Sequence, residues 1–251
     1  MQISDSTFVS LIVVLGWVLS LCLHEYGHGI VAYWGGDKSI KDKGYLSFNP
    51  FAYTDVGMSI VLPAVIVLFG GIGLPGAAVS VNRTQLRNKY WESLVSLAGP
   101  VFSIAFTAVL VAGIHAWSNA PVNILAAATF LAVLEILVII LNLLPVPGLD
   151  GYGIFEPFLS STLRQRLIPA QRYGILLLMA VLWMVPPAND FLWLVSYAVS
   201  YVVGLDPRMI DRGQTLFRQG AGPLAIGVIA IVVIYHFVKS RREKNAGDAV
   251  D

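Results

Sequence analysis

Three residues in one short stretch carry the chemistry. Residues 21–31 read LCLHEYGHGIV and hold His24, Glu25 and His28 in the order His-Glu-x-x-His. On a helix, positions four apart share a face, so both imidazoles reach one metal ion. Glu25 follows His24 directly and is placed to handle the proton of a metal-bound water. Two histidines are too few for a catalytic zinc site, which commonly takes three protein ligands and leaves a fourth position open. The candidates for the third are His115, His236, Glu135 and Asp150. His115, close to Trp117, and His236, between Tyr235 and Phe237, read as interfacial residues. Glu135 lies in the middle of the apolar run FLAVLEILVII. Asp150 lies in the irregular segment PVPGLDG, which can turn a carboxylate inward. Asp150 is the favoured ligand, because it puts two neutral nitrogens and one carboxylate on Zn²⁺.

The elements that position these groups are apolar. The run from Phe8 to Ala32 is almost wholly hydrophobic apart from the motif. The whole chain has 251 residues, 57% hydrophobic and 12% charged, with a mean hydropathy of +0.74. A soluble domain carries about twice that charge, so the composition points to an integral membrane protein with several spans. A net charge of +1 gives no case for nucleic-acid binding. Cys22 is the only cysteine and excludes an intrachain disulfide; it reads as a small apolar filler. Residues 1–8 contain Asp5 and no Lys or Arg, so the first run lacks the basic flank of a signal peptide and reads as a retained transmembrane helix.

In chain order, the first span runs roughly from Phe8 to Trp34 and stops at Gly35-Gly36. Residues 37–55 are polar. Tyr45 to Phe48 has β character and Asn49-Pro50 is turn chemistry, so a short membrane-associated β hairpin or edge strand is expected. Val56 to Leu74 is apolar but broken by Pro63 and several glycines; a re-entrant or kinked segment is expected there. Residues 79–90 are polar and basic. Leu94 to Trp117 and Val122 to Leu144 are two more spans. Two prolines in PVPGLDG then forbid a regular helix. Tyr152 to Gln171 suits an interfacial helix. Tyr173 to Val185, Phe191 to Leu205 and Leu224 to Val238 are later apolar runs. The Arg-rich stretch 208–218 reads as a solvated or headgroup face. The expected fold is therefore an all-α polytopic membrane protein of about five to six transmembrane or re-entrant helices. The basic clusters at 38–43 and 83–89 place those loops in the cytoplasm. His24, His28 and Asp150 then all fall toward the cytoplasmic side.

Four motifs in order now resemble the site-2 protease family of intramembrane zinc metalloproteases. HEYGH at 24–28 is similar to the family's His-Glu-x-x-His, and NLLPVPGLDG at 142–151 to its Asn-x-x-Pro-x-Pro-x-Leu-Asp-Gly. FNPFAYTDVG at 48–57 resembles its Asn-Pro segment, and LAGP at 97–100 the opening of its second core span. The resemblance implies that His24, His28 and Asp150 bind one zinc and that Glu25 is the general base. It implies that Asn142 helps hold the substrate or a developing oxyanion. The family commonly has His, Asn and Asn where this chain has Tyr53, Ser103 and Glu135. It also implies a membrane-embedded endopeptidase acting on transmembrane proteins within the bilayer of a bacterial or archaeal plasma membrane. Residues 1–155 would be the catalytic core, 156–238 additional interfacial and transmembrane helices, and 239–251 a charged, disordered tail.

Blander readings compete at each position. The His-Glu-x-x-His cluster could merely pack helices together, and Asp150 could be an N-cap before Tyr152. Glu135 shares a face with Asn142, and either hydrogen-bonds a neighbouring helix or lies near the substrate path. A catalytically inactive scaffold that binds transmembrane helices is the alternative function; it has no need of Glu25.

Overall fold

A computed structural model describes residues 3–47 and 80–222. The expected re-entrant segment 56–74, the Asn-Pro motif with Tyr53, the last apolar run with His236, and the tail lie outside the described residues. Within them every regular element is helical.

Helix α1 (Asp5–Gly35) opens where Ser4 accepts a hydrogen bond from the Thr7 amide, and Asp5 adds negative charge at the first turn. It closes at Gly36, whose φ of 127° only glycine takes easily. Asp37 follows, fully buried. Its carboxylate accepts from the Ser39 amide at the short helix α2 (Ser39–Asp42) and from the Asn82 amide at 2.7 Å. Asp37 thus pins residues 80–82 to the end of α1. Residues 44–47 form a turn; the rest of the expected hairpin lies beyond the described residues, which contain no strand.

Helix α3 (Lys89–Ala116) is capped by Asn88, which accepts from the Tyr90 and Trp91 amides, and it contains Pro100. Helix α4 (Val122–Asn142) is apolar all round and is the most enclosed of the long helices, as that pattern requires. Among the described residues, α1, α3 and α4 are each long and apolar enough to cross a membrane. Val9, Val13 and Trp17 of α1 pack on Phe130, Leu131 and Leu134 of α4.

After α4 the prolines break the helix as expected. Short α5 (Asp150–Phe155) follows, then α6 (Ser161–Met184), α7 (Pro186–Val202) and a helix over 207–222, α8. The expected interfacial helix from Tyr152 to Gln171 is therefore two helices. The second runs on through Met184, bent by 56° between Gln171 and Tyr173, where Pro169 and Gly174 flank the bend. Counted as one span it brings the total to four among the described residues, and two further expected runs, 56–74 and 224–238, lie outside them. The Arg-rich stretch is more than a solvated face. Ile210, Gly213, Phe217, Gly220 and Ala221 form a buried stripe on α8, and Phe217 and Ala221 join the α1–α4 core. Arg208, Arg212 and Arg218 stay exposed on the other side.

Candidate metal centre

The imidazoles converge as their spacing requires. His24 and His28 are buried on α1 with their Nε2 atoms 3.1 Å apart. Asp150, the first residue of α5, brings Oδ2 to 3.0 Å from His24 Nε2 and Oδ1 to 3.4 Å from His28 Nε2. A tetrahedral zinc with bonds of about 2.0–2.1 Å needs donors about 3.3 Å apart. The three side chains therefore fit one ion in both donor chemistry and spacing. Glu25 is buried beside them, and the ligand atoms of His24, Glu25 and His28 all lie within 4.8 Å of one another.

Helix α3 aims both rings from behind. His28 Nδ1 lies 2.6 Å from the Val95 carbonyl and His24 Nδ1 2.9 Å from Ser103 Oγ. An imidazole that offers Nε2 to a metal carries its proton on Nδ1, so His28 donates to the carbonyl and His24 to the hydroxyl. Between those two contacts lies Gly99. A Cβ there would collide with both Nε2 atoms, so glycine keeps the space the imidazoles share clear of α3. Gly27 plays the matching part on α1, where a Cβ would come within 2.9 Å of the Ala98 carbonyl.

Asp150 arrives by a tight reversal. Gly148 adopts a φ of 100° and Leu149 is extended, so α5 starts at the aspartate without a side-chain cap. Gly151 lies against the Leu143 carbonyl and Gly153 against Ser96 of α3. Gly174 lets α6 close onto the Pro147 carbonyl. The N-cap reading of Asp150 gives way, since its carboxylate faces the imidazoles.

The far end of the same segment holds a second polar cluster. Glu156 is buried and accepts from Arg83 Nη1 at 2.7 Å, Arg164 Nε at 3.0 Å and Gln171 Nε2 at 2.9 Å. Arg164 also pairs with Glu92 of α3 at 3.2 Å. Burial raises the Glu156 carboxyl, yet Arg83, Gln171 and Arg164 leave it below its ordinary value.

The remaining candidates separate. Asn142 is buried at the end of α4, in a small cavity that His24 also lines. Glu135 bonds to Ser20 of α1, and His115 lies 3.0 Å from the Val203 carbonyl, away from the cluster. Sequence reasoning missed Val95, Gly99 and Glu156 as supports and met Ser103 only as a departure from a motif. A backbone carbonyl leaves no trace in a sequence. Gly99 was the legible one, a glycine beside a proline inside a span.

Apolar helices of bilayer length around a His-Glu-x-x-His centre with an aspartate opposite define a membrane metalloprotease. Known proteins agree. The chain is 37% identical over 211 residues to "Putative zinc metalloprotease Rip2" of Mycolicibacterium smegmatis, covering 84% of this chain and 81% of that one. It is 38% identical over 212 residues to the protein of the same name in Mycobacterium tuberculosis, with the same coverage. It is 30% identical over 192 residues to "Putative zinc metalloprotease YwhC" of Bacillus subtilis, covering 72% of this chain and 83% of that one. No family model and no solved structure matches it. The chain belongs to the site-2 protease family: it is a zinc metalloprotease, a peptide-bond hydrolase in a membrane protein.

Proposed function

We propose that the chain is an intramembrane endopeptidase, cutting peptide bonds in or near transmembrane segments of other membrane proteins in regulated intramembrane proteolysis. The observation that carries this is the meeting of His24 and His28, on membrane-length α1, with Asp150 at the start of short α5. His24 lies about 16 Å of helix inside Gly35, below the end of α1. In this reading residues 1–155 form the catalytic core, 156–238 surround it and 239–251 are a tail. The centre faces the cytoplasmic side of a bacterial or archaeal plasma membrane, as the basic loops at 38–43 and 83–89 favour.

His24, His28 and Asp150 would hold the metal. When bound, zinc supplies Lewis acidity, which lowers the pKa of water toward about 7 and polarises a carbonyl. Glu25 takes the proton from the attacking water on its carboxylate and hands it to the leaving amide nitrogen. Asn142 offers its side-chain amide to the oxyanion or to the substrate backbone. Val95 and Ser103 hold the rings in register through Nδ1. A substrate helix must unwind locally, because its peptide carbonyls are already bonded.

Glu25→Gln is the direct test. The purified chain is expected to carry about one zinc. The variant is expected to keep that zinc and lose cleavage of a transmembrane substrate. Cleavage that survives the change would overturn the role of Glu25, and a purified chain that binds no zinc would overturn the centre.

A further inference from the structure

Behind His24, away from Asp150, the three core helices leave a cavity of about 20 Å³. Its polar lining comprises Ser20 and His24 from α1, Ser103 from α3, and Glu135 and Asn142 from α4. Each of the five is buried. Ser20 Oγ bonds to Glu135 Oε2 and His24 Nδ1 to Ser103 Oγ. Among the described residues, no protein group satisfies Asn142 Oδ1. A buried amide oxygen left unmet is costly, so an arrangement of this kind calls for a donor.

The donors and acceptors can be counted around the cavity. His24 presents Nε2 to the metal, so its Nδ1 proton goes to Ser103 Oγ. The Ser103 hydroxyl then still has its own proton to give. Thr107 bonds the Ser103 backbone carbonyl and leaves that proton untouched. Glu135 Oε2 is engaged by Ser20, and the carboxyl has a second oxygen. A space of about 10–15 Å³ suffices for one water, provided it finds two to four polar partners. A single water here would accept from Ser103 and donate to Asn142 Oδ1 and to Glu135.

We propose that this cavity binds one structural water that joins Glu135 and Asn142 to the outer hydrogen bond of His24, and that Glu135 is thereby a positioning residue of the metal centre. The water fixes the direction of the Ser103 hydroxyl, and so the tautomer and ring angle of His24. It also ties the oxygen end of the Asn142 amide, leaving the NH₂ end for a substrate oxygen. The inference rests on the proposed zinc centre and deepens it.

The test is a double-mutant cycle read as zinc affinity, by chelator competition on the purified full chain, not as proteolysis. Ser103→Ala is expected to weaken zinc about tenfold, the usual cost of losing an outer partner of a ligand histidine. Glu135→Leu, which fills the cavity and expels the water, is expected to weaken it by a similar factor. Glu135→Gln keeps a polar partner and is expected to stay within about twofold of the parent. The double variant Ser103→Ala/Glu135→Leu is expected to be no weaker than either single change, because both break one chain. Full additivity, or unchanged affinity in Glu135→Leu, would overturn the inference while leaving the zinc centre standing. A parent chain that binds no zinc would overturn both. Should Glu135→Leu fail to fold, the parent protein decides: a structure that resolves ordered waters must show one within hydrogen-bonding distance of Asn142 Oδ1, and an empty cavity refutes the proposal.

Discussion

Asp150 and Glu156 sit at opposite ends of one short segment, and both are carboxylates turned inward. Their surroundings differ in one respect. Glu156 meets two guanidinium groups and an amide, so protein donors answer both of its oxygens. Asp150 meets two imidazole nitrogens that a neutral histidine would offer as acceptors. One cluster is complete as protein; the other would be completed by a cation. A cluster of the first kind holds elements together, and one of the second kind is a site. The difference also assigns labour within the turn. Glu156 moors the segment to α6 and the loop at Arg83, and through Arg164 to Glu92 of α3, so that Asp150 can be held against α1.

The largest way to break the contrast is to fill the space the imidazoles share. Gly99→Ala places a methyl group against both Nε2 atoms while touching nothing at Glu156. Zinc affinity is expected to fall by about a hundredfold or more, beyond the usual cost of an outer-shell change. Gly113→Ala, on the same helix with open space around its Cβ, is the matched control and is expected to leave affinity unchanged. Chelator competition on the two variants decides. Equal affinities would show that the cradle does not depend on Gly99.

Much of this contrast could be read from residues, and the part that could not has a physical reason. The His-Glu-x-x-His spacing put two imidazoles on one helix face without any tertiary knowledge. Asp150 required more, since its side chain faces inward only because Gly148 turns the backbone and Gly151 and Gly153 let α5 press close. Those glycines were visible, but their neighbours were not. The Glu156 cluster was invisible, because Arg83, Glu92, Arg164 and Gln171 come from distant segments with no shared pattern. The buried stripe of α8 was hidden for another reason. Its arginines dominated the reading, while Gly213 and Gly220 supply contact by close backbone approach to Ala126 and Ser6 and not by apolar side chains.

A smaller effect is expected from Glu156→Ala. Arg83 loses its partner and Arg164 keeps only Glu92, but their side chains are 50% and 35% exposed and can turn to water. The cost is therefore that of charged hydrogen bonds, about 1.5–3 kcal/mol, and not that of a stranded buried charge. Thermal unfolding in detergent is expected to shift down by several degrees. Zinc stoichiometry is expected to hold, because no ligand is touched. Loss of zinc at full stability would reverse the assignment of the two clusters.

The smallest effect, and the one that sharpens the contrast most, is the order in which acid undoes the two ends. Glu156 titrates below its ordinary value of 4.5 in the folded chain. Its contribution to stability is thus complete above that value and is lost as the pH falls through the lowered one. The metal centre obeys a different rule. Its imidazoles bind zinc only when neutral, so protons compete with the metal in milder acid. On slow acidification zinc is expected to leave first, with the helices still packed, and unfolding to follow only below about pH 4.5. A zinc indicator and tryptophan fluorescence read in one titration separate the two events. Glu156→Gln should flatten the second transition and leave the first where it was. If both transitions instead moved together in that variant, the mooring and the metal centre would be a single cooperative unit, and the division of labour within the turn would fail.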